Sequence, residues 1–318
     1  DDSDAAALAG YYYSLGWLAA KLNRPADAQT LYANALEVRP DFTLAAIGTA
    51  ELYIEQCAWE KALAVLENMN AEATASEATV ARLTGRCYDG LDKLTEAARH
   101  YRQSIDKDNN LASMLLLGRL YQRFQQFNEA AQTFEQAVRA YPDSMEAREL
   151  LILARLSRWS EDDNLKNLLA ELKEMQKIAP EHPATTRTTA LVRLLMRQPP
   201  DLETYVGVLA NLVEARPEDQ TSRRSLAAGL IRMSHYDEAV NHLTELLKQN
   251  PCDSEGNELL ALAFMRQLKI EEAAEHLART LERYPNREPL LRNLGEVRLV
   301  QQDYPAAMEL WQRLLALE

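Results

Sequence analysis

The feature that most constrains this sequence is a proline that returns at nearly fixed spacing after long stretches that favour helix. These prolines stand at positions 40, 142, 180, 217, 251 and 285, with gaps of 102, 38, 37, 34 and 34 residues, and the first gap is three times 34. Proline prevents a helix from continuing. A period of this size is typical of arrays of helical hairpins. We therefore predict a repeat array rather than a single globular core.

The composition favours helix throughout these repeats. Of the 318 residues, 47% are apolar and 26% are charged, and there are only 10 glycines and 12 prolines. Ala, Leu, Glu, Arg and Gln, which favour helices, are abundant. An all-α fold is the expectation.

The stretch from Leu111 to Ser144 shows the repeating unit most completely. Counted from Leu111, small residues occupy positions 8, 20 and 27, bulky residues occupy positions 11 and 24, and proline occupies position 32. Small residues let two helices approach closely, and bulky residues fill the remaining gaps. These positions are held by Gly118, Ala130, Ala137, Tyr121, Phe134 and Pro142.

This pattern resembles the tetratricopeptide repeat family. The same frame also fits from six further starts: Ala9, Thr43, Ala78, Gln220, Ser254 and Glu288. With the unit at Leu111, seven of the nine units are therefore legible. The resemblance implies an all-α, right-handed superhelical solenoid of about nine helix-turn-helix repeats.

The units differ along the chain. We predict four repeats in residues 1–144, two divergent hairpins in 145–217, and three repeats in 218–318, of which the last is truncated. In the divergent hairpins, SRWSEDDNLKN (Ser157–Asn167) and RQPPDLE (Arg197–Glu203) stand where a tight turn belongs. These segments are interpreted either as a hinge or contact-bearing loops, or as the turns of drifted but ordinary hairpins.

Both chain ends lead to expectations. The last unit stops at Glu318, before its proline position and without a polar capping helix, so we expect the chain to continue or another chain or domain to cover this end. The chain begins with Asp1 rather than Met, which indicates a processed or excised segment.

For the location of the protein, we favour the cytoplasm, with the periplasm as the alternative if an upstream signal was removed. No apolar run approaches the roughly 20 residues that span a bilayer, so we expect no direct membrane insertion.

Charge and motifs exclude several classes of function. Lys and Arg number 35 against 48 Asp and Glu, and the net charge of −13 argues against a nucleic-acid binder. The sequence holds no phosphate-binding loop, no dinucleotide motif and no metalloprotease or serine-hydrolase motif. His100, His242 and His276 share position 23 of their units, but equivalent positions of stacked hairpins lie too far apart for one metal ion.

The acidic clusters at 161–163 and 271–272 are interpreted as structural. We predict no enzyme, no catalytic residue, no cofactor and no metal.

The resemblance also indicates where a partner would bind. In this family the first helix of each repeat lines the concave surface through positions 2, 5, 9, 12 and 13. Reading those positions along the first four units gives the candidate protein-binding residues Tyr13, Trp17, Glu51, Glu55, Arg82, Arg86, Arg119 and Arg123.

These residues favour a partner with an acidic segment. Guanidinium groups bind carboxylates bidentately, and the two aromatic rings suit an apolar side chain. The alternative is that Glu51, Glu55 and Asp89 neutralise the arginines across the repeat boundary.

The resemblance thus implies a non-catalytic scaffold or adaptor that binds a peptide segment or partner protein in its concave groove. A second hypothesis is a recognition or assembly module of a larger multidomain protein, for example in polysaccharide export, glycosyl transfer or secretion, whose activity lies outside this segment. The sequence does not determine the oligomeric state.

Overall fold

The protein is all-helical. The computed structural model describes residues 2–69, 77–157, 162–196 and 201–317, and over these ranges it has eighteen helices and no strand. The helices are α1 (Asp2–Lys21), α2 (Pro25–Val38), α3 (Thr43–Glu55), α4 (Trp59–Glu67), α5 (Glu77–Gly90), α6 (Leu94–Asp108), α7 (Leu111–Arg123), α8 (Phe127–Ala140), α9 (Met145–Leu156), α10 (Asp162–Ile178), α11 (Pro183–Met196), α12 (Leu202–Ala215), α13 (Gln220–Arg232), α14 (Tyr236–Gln249), α15 (Ser254–Arg266), α16 (Ile270–Arg283), α17 (Glu288–Val300) and α18 (Tyr304–Leu315).

This architecture confirms the predicted all-α repeat fold. The helices follow one another as nine helix-turn-helix pairs, in which we call the first helix A and the second helix B. Five of the predicted unit starts are the first residues of an A helix: Thr43, Leu111, Gln220, Ser254 and Glu288. Helices pack mainly against their neighbours in sequence, as in α1 with α2, α2 with α3, and α14 with α15.

The turn between helices A and B has one conformation that recurs along the array. Position 15 of every legible unit is left-handed, with φ between 56° and 63°. The next amide donates a hydrogen bond to the carbonyl five residues earlier, as from Lys93 to Tyr88 and from Lys269 to Phe264. This is the Schellman ending of a helix. The left-handed residues are Asn23, Cys57, Asp92, Gln125, Ser234, Leu268 and Gln302.

The predicted contact between small and bulky positions is visible in the third hairpin. Tyr101 lies on α6 at position 24 of its unit; it is fully buried, and its hydroxyl donates to Asp89 Oδ2 at 3.1 Å. Its ring lies against Gly85, which is on α5 at position 8 of the same unit, where an added Cβ would come within 2.6 Å of Tyr101 Cδ1. A side chain at Gly85 would therefore displace a ring that is held on all sides.

The divergent hairpins are ordinary in their cores. Leu168, which replaces the small residue at position 20 of its unit, is buried with Ile152, Met175 and Val192. The predicted loop to Asn167 is wrong in its last six residues, because α10 already begins at Asp162. The predicted loop to Glu203 is likewise wrong at its end, since α12 begins at Leu202 and is capped by Asp201. Residues 158–161 and 197–200 lie outside the described residues, as do the side chains of Asp162 and Asp163, so no side chain of the predicted acidic cluster at 161–163 is described.

The chain divides into two compact units, residues 1–120 and residues 121–318. We call these unit 1 and unit 2. In the part of the chain that the structure describes, no helix combines the length and apolar character needed to cross a membrane.

The Gly85 contact yields a test with a matched control. We expect Gly85→Ala to lower the free energy of unfolding by about 1–3 kcal/mol, because the buried Tyr101 ring cannot move aside. The same substitution at Gly207, in the exposed interior of α12 with no atom near the added Cβ, should raise it by about 0.5–1 kcal/mol. Urea unfolding followed by circular dichroism measures both; equal effects of the two changes would contradict the packing described.

Candidate functional site

The first candidate residue, Tyr13, is part of the packing of unit 1. Its ring stacks on Tyr32 with 5.8 Å between centroids and meets Phe42 edge-on at 6.0 Å. It is half-buried beside the cluster of Ala28, Tyr32 and Leu52. Tyr13 therefore takes part in internal packing and is only partly available to a partner.

Trp17, one turn further along α1, is more accessible. Its side chain is exposed, and Lys21 Nζ lies 5.5 Å from the centre of its ring. An exposed tryptophan beside an ammonium group can accept an apolar or an acidic neighbour.

The two glutamates form an acidic strip on α3. Glu51 and Glu55 are both exposed and one helical turn apart. They lie close enough to the buried Tyr32 to act on its phenol. The pKa of Tyr32 is raised to about 12, mainly by burial and further by the charges of Tyr13, Glu51 and Glu55.

Arg82 and Arg86 lie next to this strip on α5. Both are half-buried and one turn apart. Burial lowers the pKa of Arg82, the charge of Arg86 lowers it further, and the charge of Glu51 opposes this shift. Among the residues that the structure describes, neither guanidinium has an ion-pair partner within 4.0 Å. Glu51 thus moderates the positive charge without pairing with it.

The last two candidate arginines divide between the units. Arg119 is exposed on α7 within unit 1. Arg123 belongs to unit 2, where its guanidinium lies 5.0 Å from the centre of the Phe124 ring and its charge acts on the carboxyl group of Glu258. The structure therefore brings together Glu51, Arg82 and Arg86, while Arg123 has neighbours of its own.

Unit 2 holds a charged network that the sequence reasoning missed. Arg187, the fifth residue of α11, donates from Nε and Nη2 to the two carboxylate oxygens of Glu149, at 3.0 and 2.7 Å. Its Nη1 donates to Asp219 Oδ2 and to Ser222 Oγ, both at 2.8 Å. Burial raises the pKa of Glu149 in spite of this pairing. Arg187 and Glu149 are each only 8% exposed, so this bidentate pair is shielded from water.

The same arrangement recurs in the following hairpins. Arg224, the fifth residue of α13, pairs with Asp253 at 2.5 Å and with Glu255 at 2.9 Å. Glu258, the fifth residue of α15, accepts from Arg287 Nε at 2.7 Å. Asp253 and Arg287 are the N-cap residues of α15 and α17, so each of these pairs joins an A helix to the start of the next one. We call this set the position-5 ladder: Glu149, Arg187, Asp219, Arg224, Asp253, Glu258 and Arg287.

A sequence signal for the ladder was present. Arg224 and Asp253 are 29 residues apart, as are Glu258 and Arg287, and the charges in each pair are opposite. An aspartate just before each of these A helices also predicts an N-cap. In the structure, Asp219 and Asp253 accept backbone hydrogen bonds from Ser222 and Gly256 at 3.0 and 2.7 Å. Because every ladder carboxylate already has a cationic partner, the ladder fastens one hairpin to the next and holds no open anion or cation site.

The three histidines at position 23 are half-buried on separate B helices. Burial is the first cause of a lowered pKa at His100, His242 and His276. Within the described ranges, no group of three His, Cys, Asp or Glu side chains could hold a metal ion.

Comparisons with known proteins point to one family. Models of the tetratricopeptide repeat match residues 19–87, 70–143, 115–183, 224–288 and 258–317. No curated protein sequence matches the chain.

Several solved structures are similar to the chain at low sequence identity. A MamA protein has a TM-score of 0.48 at 16% identity, with 55% of this chain and 96% of that chain covered. YrrB, described as a tetratricopeptide repeat protein with an unusual peptide-binding site, has a TM-score of 0.42 at 16% identity, with 56% and 90% covered. A tetratricopeptide repeat protein from Parabacteroides merdae has a TM-score of 0.49 at 12% identity, with 91% and 98% covered.

The Arg187 pair tests the fastening role of the ladder. Arg187→Met should lower the free energy of unfolding by about 3–5 kcal/mol, because it leaves the buried Glu149 carboxylate without its partner. The double change Arg187→Met with Glu149→Leu should cost much less, since the buried Glu149 charge is then removed as well and the half-buried Asp219 keeps its hydrogen bonds from Ser222. The control Arg279→Met, which removes an exposed pair with Glu275, should cost no more than about 0.5 kcal/mol. Thermal or urea unfolding compares the three, and a double variant as unstable as the single one would refute the argument.

Proposed function

Since the chain belongs to the tetratricopeptide repeat family, we propose that it is a non-catalytic interaction scaffold whose unit 1 binds an acidic segment of a partner protein. The proposed contact is the group formed by Glu51, Arg82 and Arg86, with Trp17 and Arg119 beside it on neighbouring A helices. Protein binding is the typical role of such repeats.

The observation that carries the proposal is a difference between equivalent arginines. Arg187 and Arg224 are the fifth residues of their A helices, and both pair with an aspartate that caps the next A helix, Asp219 or Asp253. Arg82 holds position 5 in its own unit, but the residue before the next A helix is Asn110. Asn110 bonds to Ser104 and Ser113 instead. The place taken by a carboxylate in unit 2 therefore has a neutral side chain in unit 1.

The chemistry of the ligand follows from this difference. Arg82 and Arg86 carry like charges that unit 1 leaves without an ion pair in its described residues, and burial makes the charge of Arg82 more costly to maintain. A carboxylate of a partner peptide would relieve both effects, because a charge-assisted bond to a partly desolvated guanidinium is stronger than one in water. Glu51 and Glu55, one helix away, favour a basic residue elsewhere in the same ligand.

Peptide binding tests the proposal directly. A fluorescein-labelled peptide of alternating aspartate and serine should bind the protein, and its asparagine counterpart should bind at least about tenfold more weakly. Arg82→Glu with Arg86→Glu should weaken binding of the acidic peptide by about tenfold or more. Lys61→Glu with Arg99→Glu, an equal charge change on the B helices α4 and α6, should leave binding nearly unchanged. Fluorescence anisotropy at fixed ionic strength gives the affinities.

A second variant separates the site from general electrostatics. Asn110→Asp would place an internal carboxylate where unit 2 has one, so it should compete with the peptide for Arg82. Equal binding by all variants, or equal binding of the acidic and neutral peptides, would show that this arginine pair is not the site.

A further inference from the structure

The A helix α3 carries a large apolar side chain where the other A helices carry a small or polar one. Leu44, at position 2 of its unit, is 47% exposed. Position 2 of the other units, counted from the first residue of α9 and α11 in the divergent hairpins, is held by Gly10, Thr79, Ala112, Glu146, Ala184, Thr221, Glu255 and Pro289. A single exposed leucine is ordinary on a protein surface, so its neighbours decide what it can do.

The neighbours of Leu44 on one side are apolar. Ile47 lies one turn further along α3, at position 5, and is half-buried. On the adjacent helix α1, position 5 is the half-buried Tyr13. The Tyr13 ring meets Phe42, the N-cap residue of α3, edge-on at 6.0 Å. We call Tyr13, Leu44 and Ile47 the apolar patch of unit 1.

On its other side, α3 adjoins the arginine pair of the proposed acidic-peptide site. The helix α3 packs against α5, where Arg82 holds position 5 and is half-buried. Burial lowers the pKa of Arg82, and the charge of Glu51, one turn beyond Ile47, opposes this shift, so this part of α3 lies near the guanidinium. Position 5 of the following A helix, α7, is Leu115, which is only 7% exposed. The apolar surface that a ligand on Arg82 can reach is therefore on the α3 side.

The distance between the two features sets a spacing in the ligand. Helices that pack together lie about 8–10 Å apart, so Ile47 and Arg82, at the same position of adjacent A helices, are separated by about that distance. A peptide in the polyproline II conformation advances about 3.1 Å per residue and turns its side chains to the same side every three residues. Two ligand side chains three residues apart therefore reach both features at once.

We propose that the acidic ligand of unit 1 also carries a large apolar side chain three residues from its carboxylate, and that the apolar patch holds this side chain. This inference rests on the proposed function, because it takes the carboxylate to be bound by Arg82 and Arg86. The arginines select for acidic ligands in general, and the apolar patch selects among them. A segment in which every residue is acidic lacks the second contact and binds more weakly.

Peptides that differ in the place of one leucine test the spacing. Each has a serine-glycine background with two adjacent aspartates and a fluorescein label; one has no leucine, and the others have it three residues before, three residues after or eight residues after the aspartates. The leucine at a distance of three should tighten binding by about tenfold on one side of the aspartates. The leucine at a distance of eight should bring little gain. Fluorescence anisotropy gives the affinities.

A substitution in the apolar patch, with a matched control, locates the effect. Leu44→Gln should remove most of the gain that the leucine brings, and it should leave the affinity for the leucine-free acidic peptide unchanged. Leu268→Gln, the same change at an exposed leucine in unit 2, should keep the gain. Both side chains are exposed, and unchanged circular dichroism melting confirms that the variants fold.

The outcomes separate this inference from the proposed function. If the leucine-free acidic peptide binds but leucine brings the same gain at every position, or none, the inference is overturned and the acidic-peptide site stands. A gain that survives Leu44→Gln overturns it in the same way. If none of these acidic peptides binds, both proposals are wrong.

Discussion

The constraint on which this structure depends is that no helical hairpin can bury its own apolar surface. In unit 2, Leu243 and Leu246 of α14 are fully buried in one cluster with Leu226 and Leu230 of α13 and Leu260 of α15, and both of these helices pack against α14. Such burial is the main favourable term in folding, so each hairpin depends on its neighbours. The recurring turn at position 15 keeps the register of this stacking, since it sends each B helix back along its A helix with one fixed backbone geometry.

Much of this could be predicted from the sequence, because packing leaves a periodic trace. Gly85 and Tyr101 stand at positions where close helix contact demands a small and a bulky residue, and Thr43 and Gln220 begin helices as predicted. The left-handed turn was missed because its defining hydrogen bond joins backbone atoms, so residues as different as Asn23 and Leu268 fill the position. The ladder was missed because its partners, such as Arg187 and Glu149, are 38 residues apart and pair across a repeat boundary.

In the function that we propose, the array gains a binding site where it departs from its own repeating pattern. The ladder in unit 2 uses position-5 charges to fasten one hairpin to the next, although buried pairs of this kind often add little stability over apolar residues of the same size. In unit 1, Asn110 stands where unit 2 has a capping aspartate, so the guanidinium of Arg82 has no internal carboxylate there. This is the guanidinium that we propose binds a carboxylate of the partner. The sequence predicted which arginines line a concave surface, but whether each has an internal partner is a property of the packed neighbours, which a single position cannot reveal.

The dependence of each hairpin on its neighbours is best measured by native-state hydrogen exchange, resolved by helix. Backbone amides in helices that are covered on both sides, such as α14 and α15, should exchange slowest, and those of α1 and α18 should exchange fastest and open separately from the interior. A uniform protection of all helices, with α1 and α18 as slow as α14, would contradict the account, because it would mean that stability does not pass from one hairpin to the next.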